Sequence, residues 1–367
     1  MTGSEPGQTT AHMDAEIEQD DTSRPTPASS AWRTRIREAL GALSGPEPWK
    51  RGPILTALAV ALGLFMMLHA QIPNWLGNVG SLVETILPWF GVFVPLLLAA
   101  AVWRRSASAV AALLLPVVVW LGLFAGQLTD KSHAGGDLTL VSHNVGADNP
   151  DPAKTARDLI ASGANVLALE ELTPQAVPTY EKELAKAYPY HSVQGTVGLW
   201  SKLPLSDAKA FDIKMDYGPL AATKPFDLKM EDNRALRAVA ATPHGPLVVY
   251  VAHLASVRWN PRGGFVTAQR DRGVDALGRA VAAEQNQHVV LLGDLNGTTN
   301  DRAFNSLTSQ LRSTQDAAGD GFGFTWPKAF PMVRIDQILV KGVKPKSSWV
   351  LPGTGSDHRP VAAGIAW

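Results

Sequence analysis

The chain has 367 residues, with 33 basic and 33 acidic side chains and no cysteine. That length leaves room for a membrane part beside a soluble domain of roughly 200 residues or more. Zero formal net charge gives no global bias toward nucleic acid, and the lack of cysteine excludes disulfide scaffolds, thiolate zinc sites, iron–sulfur clusters and cysteine nucleophiles.

In chain order, Met1 to about Ala31 is rich in Thr, Ser, Pro, Glu and Asp without an apolar period, and reads as a disordered tail. The stretch Trp32–Leu40 suits either a short basic helix on a membrane surface or a solvated juxtamembrane segment, so 1–50 is taken as a cytoplasmic tail. Three apolar stretches follow: Pro53 to about Ala70, about Leu82 to Trp103 with Glu84 near its start, and Ala107 to about Leu128. Each is long enough to cross a hydrocarbon core of about 30 Å, which predicts three transmembrane helices within 51–130. Arg33, Arg35, Arg37, Lys50 and Arg51 precede the first stretch, Arg104 and Arg105 separate the last two, and the loop Gln71–Ser81 is uncharged. By the positive-inside rule the N-terminus is cytoplasmic and everything after about Thr129 lies outside. Trp75, Trp89, Trp103 and Trp120 include interfacial anchors, although Trp89 and Trp120 also suit packing within the bundle.

From Asp137 to Trp367 short apolar runs alternate with polar loops. Strands are expected at Leu138–Ser142, Val166–Leu169, Gly198–Ser201, Leu236–Thr242, Leu247–Ala252, Val289–Leu292, Arg334–Val340 and Val361–Ala366. Helices are expected at Pro152–Ser162, Thr173–Ala187 and Phe265–Glu284, with a short one near Ala303–Ser309. The pattern predicts a mixed α/β domain with packed sheets over 137–367.

Chemistry-bearing residues recur at the ends of these runs. LTLVSHN ends at Asn144, NVLALEE at Glu171 and VVYVAH at His253, while VVLLGDLN carries Asp294 and Asn296. Near the C-terminus, RID places Asp336 in a strand and GSDHRP places Asp357 and His358 on a loop. Singly, each is an ordinary turn residue or a hydrogen-bonded structural histidine. Jointly, they form a set of carboxylates, amides and imidazoles held at strand ends, where a buried scaffold can present polar groups to a cleft.

The residue types suit phosphoryl hydrolysis. A hard cation such as Mg²⁺ or Mn²⁺ prefers carboxylate and amide oxygens, which makes Glu171 the principal ligand candidate, with Asn144 and Asp357 assisting. Asp294 can orient or deprotonate water, and Asn296 can donate to the oxygens of a pentavalent phosphorus. His253 and His358 can supply protons or bind phosphate, with Asp336 the candidate partner that fixes the His358 ring. Asn144 and Arg258 are candidate phosphate contacts. Arg258 lies with Arg262, Arg270 and Arg272 around the Trp259-Asn260-Pro261 loop. Arg270, Arg272 and Arg279 also fit the solvated side of an amphipathic helix. Phe322, Phe324, Trp326 and Phe330 suit either an apolar lip or core packing. No P-loop, no G-x-G-x-x-G opening a helix, no G-x-S-x-G elbow and no H-E-x-x-H occurs, which removes nucleotide-fold, serine-hydrolase and zincin readings.

Asn144, Glu171, His253, Gly293-Asp294-Leu295-Asn296, Ile335-Asp336 and Ser356-Asp357-His358 resemble the ordered motif set of the endonuclease/exonuclease/phosphatase (DNase I-like) family. The resemblance covers about Leu138 to Trp367 and implies a four-layer α/β sandwich that cleaves a phosphoester with Mg²⁺ or Mn²⁺. Glu170 stands where many members have Gln, so both acids of the pair stay in view, with Glu171 preferred as ligand. A three-span anchor with an outward domain further resembles the VanJ-like teicoplanin-resistance proteins of actinobacteria, which are linked to dephosphorylation of undecaprenyl diphosphate. The expectation is therefore a multi-pass cell-membrane phosphoesterase (EC 3.1 or 3.6 type) acting outside the cell on a lipid-linked phosphate, with a connection to glycopeptide resistance. The rival expectations are an exported nuclease that binds nucleic acid, and a non-catalytic membrane-bound binding module.

Overall fold

The computed structural model describes residues 46–213, 233–261 and 263–367, together with Thr34, Arg37, Glu38 and Gly41. The expected disordered tail, most of Trp32–Leu40, and Arg262 lie outside the described residues.

Among the described residues, fourteen strands build the C-terminal part: β1 Leu138–Asn144, β2 Val166–Glu170, β3 Tyr190–Gln194, β4 Val197–Ser201, β5 Leu205–Ala210, β6 Ala235–Thr242, β7 Gly245–Ala252, β8 Arg258–Asn260, β9 Gly264–Val266, β10 Val289–Asp294, β11 Arg312–Ser313, β12 Asp336–Lys341, β13 Lys344–Val350 and β14 Val361–Ala366. They form two mixed six-stranded sheets, ordered β13-β14-β1-β2-β4-β3 and β11-β12-β10-β7-β6-β5, plus the separate β8–β9 pair.

Period-two geometry assigns each apolar residue to a layer. Leu140, Val166 and Leu199 of the first sheet meet Val249, Val251, Leu292 and Ile338 of the second in a shared core. Their neighbours Val141, Leu167 and Trp200 face outward onto the helices Pro152–Ala161 and Val177–Leu184. On the other side, Val248, Tyr250 and Leu291 pack against Val274, Leu277 and Val281 of the helix Ala268–Ala283. The result is four layers, helix–sheet–sheet–helix. Central strands covered on both faces read as continuous apolar runs, as in β10, where every residue is buried.

Two expectations need correction here. The helix expected over Phe265–Glu284 starts at Ala268, because Gly264–Val266 pairs with Arg258–Asn260 instead. Within that helix Arg270 is not solvated: it is 1% exposed and its Nη2 lies 2.7 Å from both Asp271 and the buried Asp301. Arg272 and Arg279 are exposed, as expected of a solvated face.

The N-terminal apolar stretches form helices at Pro53–Met67, Val79–Trp103 and Ala107–Gln127, the second and third with short 3-10 or turn segments along them. Of three expected spans, two among the described residues are long and apolar enough to cross a membrane. The first is 15 residues long, about 22 Å at ~1.5 Å per residue, and so falls short of a ~30 Å core. It is closed by the His69 ring against the Met66 carbonyl and by a 3-10 turn at His69–Gln71.

The start of the Val79–Trp103 helix is bound to the sandwich by polar contacts. Asn78 Nδ2 donates to the Phe265 carbonyl at 2.7 Å, and Ser81 Oγ to Asp301 Oδ1 at 3.1 Å. Glu84, 2% exposed, accepts from the Arg302 Nε and backbone N–H at 2.8 and 3.0 Å. Trp89 and Trp120 pack inward against Phe324 and Phe322, whereas Trp75 and Trp103 are exposed.

Candidate active site

Strand direction gathers the site. β1 and β2 run parallel with Asn144 opposite Glu170, so Glu171 leaves the sheet beside Asn144. β7 runs parallel to β10, and His253 follows directly after β7 at the same edge where Asp294 ends β10. β12 is antiparallel to β10 with Asp336 opposite Asp294, and His358 lies on the loop entering β14, which is antiparallel to β1. Both sheets thus deliver their polar ends to one rim.

The turn geometry at this rim is demanding. A Cβ on Gly293 would lie 1.9 Å from the Ala252 carbonyl oxygen, so only glycine lets β10 approach β7 this closely. Glu171 and Asn296 are non-glycine residues with φ of 58° and 49°. Such left-handed positions persist where surrounding contacts fix them, and they cluster at functional sites.

At the centre, Asn144 Nδ2 donates to Glu171 Oε1 and Asp294 Oδ2, both at 3.0 Å. Glu171 Oε2 accepts from the Ala147 N–H at 3.0 Å. His253 Nε2 lies 3.6 Å from Glu171 Oε1 and 3.7 Å from Asp294 Oδ2. His358 Nε2 lies 3.8 Å from Asp294 Oδ2, while its Nδ1 sits 3.0 Å from Asp336 Oδ2. Asn296 donates its backbone N–H to Asp294 Oδ1 at 2.9 Å and its side-chain amide to the Leu254 carbonyl at 3.0 Å. Asn144, Glu171, His253, Asp294, Asn296, Asp336 and His358 are therefore brought together.

Two expected residues are not in this cluster. Asp357 is exposed and its Oδ2 accepts from Trp326 Nε1 at 3.0 Å, and among the described residues no side-chain hydrogen bond or ion pair joins it to the cluster. Arg258 is exposed on β8, and among the described residues no hydrogen bond or ion pair joins it to the cluster.

Burial and neighbours drive the two histidines apart. Burial pulls the His253 ring well below its ordinary value, and Arg234 and His358 add to this. Arg234 Nη2 lies 2.6 Å from each His253 ring nitrogen, so the ring is neutral. For His358, burial also pulls downward, but the carboxylates of Asp336 and Asp294 outweigh it and hold the ring up at about 10. A neutral imidazole thus faces a cationic one across Asp294, the kind of separation that assigns acid and base roles. Burial pushes the Asp294 carboxyl up to about 7, with Asp336 adding and His358 opposing. Glu170 is raised well above its ordinary value by burial; its Oε1 accepts from Ser142 and its Oε2 has no partner among the described residues. His143, buried in β1, is pulled down to about 3 and stays neutral.

This donor set fits a divalent cation. Oxygen ligands predominate, and burial, which raises Asp294 and Glu170, penalises a carboxylate charge that a hard cation would offset. Asp294, Asp336 and His358 form one group that could hold a metal, with ligand atoms within 4.8 Å of one another. His358 would have to lose its proton to ligate, so the oxygens of Glu171, Asn144 and Asp294 suit a hard ion better. Arg234 was not singled out from sequence, since its only signal is position, one residue before β6. Trp326 was noted as a lip residue, not as the partner of Asp357.

A profile described as the Endonuclease/Exonuclease/phosphatase family matches residues 141–358. No curated protein matches the chain significantly. Among solved structures, D. rerio TDP2 complexed with single strand DNA product is similar at 19% identity and TM-score 0.50, over 63% of this chain and 99% of that one. An endonuclease/exonuclease/phosphatase from Bacteroides vulgatus matches at 16% identity and TM-score 0.49, over 63% and 99%. The mannosyl-6-phosphatase Bt3783 of Bacteroides thetaiotaomicron matches at 14% identity and 0.47, over 63% and 100%. At these identities the first likeness speaks to fold alone.

Proposed function

The chain belongs to the endonuclease/exonuclease/phosphatase family, as a phosphoesterase of DNase I-like fold, and from that premise we propose a narrower reading: a membrane-anchored, Mg²⁺- or Mn²⁺-dependent enzyme that hydrolyses a lipid-linked phosphate or diphosphate outside the cytoplasm. One observation carries the reading. The cluster of Asn144, Glu171, His253, Asp294 and His358 sits in a domain bound through Glu84–Arg302 to an apolar helix. The two long helices are only 17% and 22% buried over their most apolar stretches, unlike core helices of a soluble domain. By the positive-inside rule, Arg104 and Arg105 favour a cytoplasmic turn between the two long helices, a reading with the sandwich outside. An anchored site meets lipid substrates at high local concentration. The resemblance to VanJ-like proteins favours a polyprenyl diphosphate as the substrate of such an anchored enzyme.

Glu171 and Asn144, with Asp294 beside them, would hold the cation, which supplies neutralisation of phosphoryl charge when bound. Asp294, buried beside that cation, would orient a water and take its proton as the water oxygen bonds to phosphorus. His358, cationic and steadied by Asp336, gives its proton to the leaving oxygen as the P–O bond breaks. His253, neutral, and Asn296 contact the phosphoryl oxygens.

A panel of polyprenyl diphosphate, phospholipid and plasmid DNA, each with Mg²⁺ and with EDTA, tests the reading. Phosphate release from the lipid diphosphate alone, abolished by EDTA, is expected. Nicking of DNA with no lipid turnover would replace the reading by a nuclease.

A further inference from the structure

Outside the catalytic cluster, a cavity of about 500 Å³ opens where the two long helices meet the sandwich. Trp89, Val94, Val117 and Leu121 wall it from the helices, Phe322 and Phe324 from the catalytic domain. Volumes of this order accept small-molecule ligands. Phe322 packs against Trp120 and Phe124 with ring centroids 6.3 and 5.8 Å apart, and Phe324 stacks on Trp89 at 5.8 Å.

The segment that floors this cavity continues to the catalytic rim. Two residues past Phe324, the Trp326 indole donates to Asp357, the neighbour of His358. The Thr325 carbonyl accepts from the Arg359 N–H at 3.0 Å on the other side of that histidine. A smaller cavity of about 60 Å³ adjoins the first, sharing Pro88, Phe322 and Phe324 with it. Its wall includes Arg334 and Gln337, which flank Asp336 in sequence. Arg334 Nε and Gln337 Oε1 are buried there without a partner among the described residues.

We propose that the apolar cavity seats the hydrocarbon chain of a phosphate ester whose head reaches the catalytic cluster. This rests on the phosphoesterase reading above and adds a chain-binding subsite to it. The walls identify the occupant. A bulk bilayer lipid needs only the outward helix faces, where Leu96, Val102, Leu114 and Val118 are already exposed. The cavity instead joins helix and enzyme, and its floor runs toward the histidines past a buried cationic Arg334. A single apolar chain covalently tied to an anion is the ligand that uses both ends of that route.

The test is photolabelling of the full chain in micelles by a long-chain alkyl phosphate carrying a diazirine on the chain. Phosphate release from long- and short-chain alkyl phosphates is measured in parallel. Label is expected in the helices around Val94 and Val117, suppressed by excess unlabelled long-chain alkyl phosphate but not by phosphatidylcholine. Filling the cavity with Val117→Trp plus Leu121→Trp, which share a helix face, or from the opposite wall with Val94→Trp, should remove the label. Either should also cut the long-over-short ratio of kcat/KM by about tenfold. Label spread over the outer helix faces and unchanged in both variants overturns the subsite, even with hydrolysis intact. Competed, cavity-mapped label without any hydrolysis leaves the subsite standing and overturns the phosphoesterase reading.

Discussion

The sandwich and the helical region are both built on apolar runs, and they dispose of them in opposite ways. In the sandwich, Val289–Leu292 and Val166–Leu169 are wholly buried, and each run ends in an acid at the rim. In the helices, Leu96, Val102, Leu114 and Val118 are 60–66% exposed, and the runs end in tryptophans, arginines or turns. Composition is alike; what differs is whether another layer covers the run. The polar residues that matter lie where the regimes meet: carboxylates and imidazoles where strands emerge from cover, and Glu84 where an uncovered helix meets the sandwich.

The largest effect is expected at the rim. Glu171→Ala is expected to lower kcat by about 10²–10⁴-fold while thermal unfolding stays near wild type, since the Glu171 side chain is 30% exposed. A parallel fall in stability would make the residue structural. A large stability effect belongs instead to the covered region: Arg270→Ala strands Asp301, fully buried, and should cost about 3–5 kcal/mol in denaturant unfolding. At the junction, Glu84→Gln weakens a pair whose Arg302 side is 30% exposed and should cost about 2 kcal/mol. A double-mutant cycle with Arg302→Ala measures the coupling, and additive losses would show that the junction is loose.

The smallest effect sharpens the rim itself. Glu170 is held protonated by burial. A carboxyl raised on folding lowers stability progressively as pH climbs above its unfolded value near 4.5. Glu170→Gln, a near-isostere of the protonated acid, should leave stability unchanged below that pH and gain steadily above it. Identical pH profiles for the two proteins would mean that Glu170 ionises freely.

Legibility followed the same line of cover. Strands buried on both faces, β2, β7, β10 and β14, stood out as apolar runs, and the rim residues followed because each run visibly ends in one. The four edge strands, β3, β5, β11 and β13, were missed. YHSVQ and KPKSSWV keep one side in solvent or under a loop, so they carry no continuous apolar signal. The pairing of Asp336 with His358 is readable from motif order, whereas the contact of Arg234 with His253 follows from the exact β6–β7 register, which sets Ala235 opposite Ala252. The engagement of Asp357 by Trp326 required knowing that the aromatic segment folds back on the rim. The first apolar helix was overread because hydropathy continues through His69–Gln71 while the α-helix does not.

Strand ends from both sheets bring carboxylate, amide and imidazole groups to one rim, and a hard cation held there is what the proposed hydrolysis requires. The most direct test of that requirement is Mn²⁺ titration of the purified full chain by calorimetry, alongside turnover, for wild type, Glu171→Ala and Asp357→Ala. Saturable binding with turnover rising in step is predicted for wild type, with both lost in Glu171→Ala and binding kept in Asp357→Ala. A wild-type protein that binds no Mn²⁺, or one that turns over equally well in EDTA, would overturn the cation's role.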